Sequence, residues 1–116
     1  MAKDDYFVIV AKILAFLYQR LKGKEDREVL DYIQADSKEF PISEEYLDYV
    51  VMHMYKDQLI ERVFCRVDSD GDPFEVSLMD ETRITPEGIT YLYENSMILK
   101  AIKHIPSIAS ALGGFL

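Results

Sequence analysis

The stretch Tyr6–Tyr18, YFVIVAKILAFLY, constrains this chain more than any other part of it. Asp4 or Asp5 can cap a helix that runs to about Leu21 and stops at Gly23. Phe7, Val10, Leu14, Leu17 and Leu21 follow the helical repeat and are expected to face a core. Ile9, Ile13 and Phe16 widen that stripe until the helix is apolar nearly all round, and such a helix needs cover on two sides. A membrane destination fits poorly. The run is shorter than the roughly 20 apolar residues of a spanning helix, and Lys12 interrupts it. Acids precede it where a signal peptide carries basic residues. The expectation is a buried helix in a cytoplasmic protein.

The rest of the chain offers that cover. Val29, Leu30 and Ile33 mark the inward side of a short second helix over Asp26 to about Ala35. After the loop Asp36–Glu39 comes an extended Phe40-Pro41-Ile42, because a residue before proline avoids helical geometry. Ser43 caps a third helix, with Glu44 and Glu45 at the positive end of its dipole. Leu47, Val50, Val51 and Met54 are expected to face inward, and the helix should end near Asp57, with Leu59 and Ile60 leading into a strand. Val63, Cys65 and Val67 alternate with Arg62, Phe64 and Arg66, and Phe74, Val76 and Leu78 alternate again. With the turn-rich Asp68–Pro73 between them, the two runs predict a β-hairpin whose loop is about six residues long. A polar kink at Asp80-Glu81-Thr82 follows.

Ile84-Thr85-Pro86-Glu87-Gly88-Ile89 is the sharpest local signal. Thr85 is an N-cap, Pro86 takes the first helical position, and Ile84 and Ile89 sit where a hydrophobic staple closes. This fourth helix should reach about Asn95. A fifth begins near Met97 with Ile98, Ile102, Ile105, Ile108 and Leu112 on one stripe, bent at Pro106, as cover for the first helix within the chain or across a dimer. The whole reads as one domain over 1–116, with its core at about 4–96 and a C-terminal helix at about 97–112.

Three helices, a hairpin wing and a further helix give an α+β winged helix-turn-helix with an additional C-terminal helix. Leu59 and Ile60 entering a strand, the hairpin, then Ile-Thr-Pro-Glu-Gly opening a helix resemble the wing-to-helix junction of many bacterial winged-helix proteins. The size, and the match running through Tyr91 and Leu92 to an amphipathic C-terminal helix, are most similar to the YjcQ family. That resemblance implies a small winged-helix-like protein of Gram-positive bacteria and their phages or prophages, and it carries no reaction with it. The sequence departs from such proteins at the end of the third helix, where Gln58 stands in place of the frequent glycine.

Charge bears on what a winged helix touches. The net charge is −8, and all of the excess lies between residues 39 and 83. Residues 39–61 hold six acids against Lys56 alone, and residues 62–83 hold six acids against three arginines. These are the third helix and the hairpin, which a winged helix normally lays against DNA. Each phosphate contact needs a cation that releases a counterion, so this face should repel nucleic acid. If the alternative of a DNA-binding transcription regulator holds, its contacts should lie elsewhere, around Arg20, Lys22, Lys24 and Arg27. The outward stripe of the third helix, Glu45, Asp48, Tyr49, Met52, Tyr55 and Lys56, instead suits a protein contact, since tyrosine and methionine are enriched at interfaces. The bland counterpart is that Tyr49 and Tyr55 pack over neighbouring loops.

No constellation points to catalysis, a metal or a cofactor. An EF-hand loop begun at Asp68 would place Pro73 where glycine is required and Met79 where the closing glutamate belongs. His53 and His104 have no ligating partner at helical spacing, and Cys65, the single cysteine, reads as a buried thiol on the inward face of a strand. The expectation is a non-catalytic cytoplasmic protein-interaction module with an unknown protein partner and no membrane. A homodimer through helices one and five is compatible with it.

Overall fold

The computed structural model describes residues 4–95. Their order is α1 (Tyr6–Leu21), α2 (Val29–Tyr32), α3 (Glu44–Lys56), β1 (Ile60–Glu61), β2 (Phe64–Val67), β3 (Pro73–Ser77), β4 (Arg83–Ile84) and α4 (Pro86–Glu94). The architecture is α+β. The expected fifth helix, with its bend at Pro106, its role as a cover and its part in a dimer, lies outside the described residues, as does His104.

Asp5 caps α1 by accepting from the Phe7 N–H at 3.0 Å. The helix ends in a Schellman motif: Gly23 takes φ +76°, its N–H reaches the Arg20 carbonyl, and the Lys24 N–H reaches that of Gln19 at 2.9 Å. Every residue from Val8 to Leu17 is buried, so the helix is covered all round as its composition demands. Phe7 and Leu21, at the two ends of the helix, depart from the expected inward stripe, being 48% and 47% exposed.

Lys12 lies inside this core, with 2% of its surface exposed. Its ammonium donates to the carbonyl of Glu39, meets the Glu39 carboxylate at 3.1 Å and sits 4.8 Å from the centre of the Phe40 ring. Ionic, hydrogen-bonded and cation–π contacts together offset the desolvation of that charge. Tyr32 stacks on Phe16 at 4.3 Å and meets Phe40 edge-on at 5.4 Å, so an aromatic layer closes over Lys12.

The second helix is a single turn rather than the expected ten residues. The segment before it is held by side chains, with the Glu25 carboxylate taking the Arg27 N–H and guanidinium. Beyond Tyr32 the chain turns out at Asp36, φ +54°, so that Phe40 and Ile42 enter the core and Glu39 meets Lys12. Val29 and Ile33 are buried as expected, but Leu30 points outward, its N–H accepted by Asp80 Oδ1 at 3.0 Å.

Ser43 caps α3 by accepting from the Tyr46 N–H, and Leu47, Val50, Val51 and Met54 are all buried. This helix also ends in a Schellman motif. The Gln58 N–H reaches the Tyr55 carbonyl and the Leu59 N–H that of Met54, with Gln58 itself at φ +63°. The strands form two separate antiparallel pairs. β1 pairs with β4, placing Ile60 opposite Ile84 in the core and Glu61 opposite Arg83 outside. β2 pairs with β3 as the hairpin. Between the two pairs the chain passes through Arg62 at φ +60°, whose carbonyl accepts from the buried Thr82 hydroxyl at 3.0 Å. Thr82 Oγ1 also accepts from the Met79 N–H, so the expected polar kink is a turn anchored by the buried Thr82, with Glu81 exposed, at the neck of the hairpin.

Candidate functional site: the outer face of α3 and the hairpin

The helical repeat of α3 fixes which side chains leave the core. Opposite Leu47, Val50, Val51 and Met54 run Glu45, Tyr49, Met52 and Lys56, with Asp48 and Tyr55 on the flank nearer the hairpin. The structure brings all six onto one side of the helix but does not leave them equally open. Glu45, Asp48, Tyr49 and Lys56 are exposed, whereas Met52 and Tyr55 are half-buried.

The difference comes from the hairpin, which lies against α3. Val76 is buried opposite Cys65, and this pair forms the side of the hairpin toward the core. Cys65 is half-buried rather than fully enclosed. It sits beside Tyr55, and the neighbouring thiol raises the Tyr55 phenol above its ordinary pKa. On the other flank of α3, Tyr49 is 56% exposed; its ring lies 4.4 Å from that of His53 and 6.3 Å edge-on from Tyr6. The Tyr6 phenol is raised by burial and then by the charge of Asp57.

A bulge sets the upper edge of the face. Arg66 pairs with Glu75, but Val67 pairs with Pro73 instead of Phe74, so Phe74 falls out of register. This overturns the simple alternation of Phe74, Val76 and Leu78. Phe74 is 55% exposed and Val67 is exposed too. The Arg66 guanidinium lies 5.3 Å from the centre of the Phe74 ring and 3.3 Å from the Glu75 carboxylate. Asp48, Met52, Arg66, Phe74, Glu75, Val76 and Ser77 together line a hollow of about 320 Å³ between helix and hairpin, a mixed lining in which two carboxylates and one guanidinium join three apolar side chains. The hairpin half of this hollow escaped the sequence pattern. Only the crowding of Phe64, Phe74 and Arg66 on so short a hairpin hinted at it.

The acidic hairpin tip is organised by its own backbone. Asp68 Oδ1 accepts from the Asp70 and Asp72 N–H groups at 2.9 and 3.0 Å, and Gly71 takes φ +84°. No group of three or more histidine, cysteine or carboxylate side chains among the described residues is placed to hold a metal ion.

The four basic residues of the DNA-binding alternative do gather at the C-terminal end of α1. Three of them are already engaged. Arg20 donates to the carbonyl of Arg27, and Arg27 makes a two-pronged pair with Glu25 at 2.7 and 2.9 Å while its guanidinium lies 4.4 Å from the Tyr32 ring centre. That hydrogen bonding lowers the Glu25 pKa and raises that of Arg27. Lys22 lies 4.4 Å from the ring centre of Tyr18, and Lys24 is exposed. No helix among the described residues is long and apolar enough to cross a membrane.

A family model described as YjcQ protein matches residues 12–110. No curated protein and no solved structure matches the chain.

Proposed function

From the premise that this chain belongs to the YjcQ family, we propose that it is a non-catalytic, winged-helix-like interaction module that binds another protein through the outer face of α3 and the hairpin. The observation that carries this reading is the hairpin lying against α3. It half-covers Met52 and Tyr55, so the helix offers a broad mixed face rather than a free ridge that can enter a DNA groove. Exposed Tyr49 and Phe74 supply aromatic anchors at either side of that face. The carboxylates of Glu45, Asp48 and Glu75 surround it and disfavour phosphate. The setting proposed is the cytoplasm of a bacterium, with the gene carried by a phage or prophage.

Two measurements test the reading. Random duplex DNA at low salt should show no retardation by the protein in a gel shift. Tight binding that weakens steeply with salt would instead establish the transcription-regulator alternative, with Arg20, Lys22, Lys24 and Arg27 as the residues to substitute. A photo-crosslinking residue at position 49 should form adducts with a protein partner in the host cell, while the same residue at position 24 should not. Adducts from position 24 alone would move the contact surface to the other end of the molecule.

A further inference from the structure

We infer that the partner's docking element is a basic protein segment that seats an aliphatic side chain in the hollow between α3 and β3; this rests on the reading above. Met52, Phe74 and Val76 give the hollow apolar surface beside its polar lining, and a volume of about 320 Å³ admits side chains rather than a folded element. Methionine adapts to whatever apolar shape enters. The rim selects for charge. Glu45 stands one turn of α3 before Asp48, Asp48 from the helix and Glu75 from the hairpin both line the hollow, and Asp68, Asp70 and Asp72 occupy the hairpin tip beyond.

One basic side chain, Arg66, lines the hollow itself, and a second, Lys56, stands further along α3. Arg66 is paired with Glu75 and lies along Phe74, and Lys56 sits two turns of helix from Asp48. The field at the mouth is therefore negative, and it attracts lysine or arginine on either side of an apolar anchor. A second copy of this chain would bring the same carboxylates against these, in a molecule already at −8, so like charges oppose self-association here. Nucleic acid meets the same repulsion.

The test uses the full chain, labelled with ¹⁵N, and three synthetic peptides of equal length. One carries leucines among lysines, one leucines among glutamates, and one glycines among lysines. The leucine–lysine peptide should shift the amides of Asp48, Met52 and residues 74–77, with an affinity that falls as salt rises. Met52→Ser should weaken it about tenfold, and Glu45→Lys combined with Asp48→Lys should do the same, while circular dichroism shows each variant folded. Equal binding of the leucine–glutamate peptide overturns the inference, as does equal binding of the glycine–lysine peptide or a map of shifts centred elsewhere. Its failure is distinguishable from that of the broader reading. If position 49 crosslinks to an acidic or uncharged protein segment, the module binds protein and only the chemistry assigned to the partner is wrong.

Discussion

Gln58 and Gly88 carry opposite lessons about backbone. Both Schellman ends need a residue in the left-handed region, and α3 uses Gln58, at φ +63°, where α1 uses Gly23. A residue with a Cβ pays about 1–2 kcal/mol for that conformation, against roughly 0.4–1 kcal/mol of extra unfolded-state freedom for glycine. Gln58→Gly should therefore stabilise the fold by about 1 kcal/mol, read from the midpoint of urea unfolding at unchanged slope. Gly88 faces the reverse constraint. Alanine there gains about 1 kcal/mol of helix propensity. Its Cβ, however, would lie 2.4 Å from the Leu59 carbonyl oxygen and 2.6 Å from Ile84 Cγ1. The carbonyl cannot retreat, since it accepts the Thr85 N–H at 3.1 Å, so overpacking of about 1–3 kcal/mol wins. Gly88→Ala should lower the unfolding midpoint, and an unchanged midpoint would show that β1 and α4 separate easily.

Among the elements, the hairpin depends on its tip. Asp68 holds two backbone N–H groups with one carboxylate oxygen, and Asp68→Ala leaves both to water. The substitution should cost about 1 kcal/mol, with amide exchange quickening over residues 66–75 before it does so in α1. The starts of α1, α3 and α4 were legible in the sequence because caps are local: Asp5, Ser43 and Thr85 each accept from an N–H two or three residues on, whereas α2 has no side-chain cap and starts at Val29 instead of Asp26. The inward residues of α3 were legible for the same reason, through period alone. What was not legible is set by distant partners. Asp80 reaches back fifty residues to the Leu30 N–H, Thr82 to the Arg62 carbonyl, and Glu39 to Lys12. No window of pattern contains both members of such a pair, so the length of α2, the presence of β4 and the burial of Lys12 emerged only with the fold. The candidate face divides likewise. Its α3 half was readable, whereas the hollow depends on a bulge that two-residue alternation does not foretell.

Over the whole molecule, tyrosine chemistry limits alkaline stability. Burial is the chief cause that raises the phenols of Tyr6, Tyr32 and Tyr91, with Glu39 adding to it at Tyr32. An unfolded chain releases these protons near pH 10, while the folded chain retains them. The folded state then binds more protons, so stability falls as pH rises. The contribution is complete below about pH 10 and is lost above it. Urea unfolding at pH 8.5 and pH 11 should show the decline, and Tyr32→Phe should shrink it, with little cost at pH 8.5 because the Tyr32 hydroxyl has no hydrogen-bond partner among the described residues. The narrow neck at Arg62 and Thr82 has a consequence of another kind. Everything from Phe64 to Ser77 leaves and re-enters the body through that one tied crossing, with β1 and β4 clasped beneath it. Evolution or an engineer can therefore exchange the outer side of the finger and its tip as a cartridge, altering what the protein grips, provided Val76 and Cys65 keep their places against the interior.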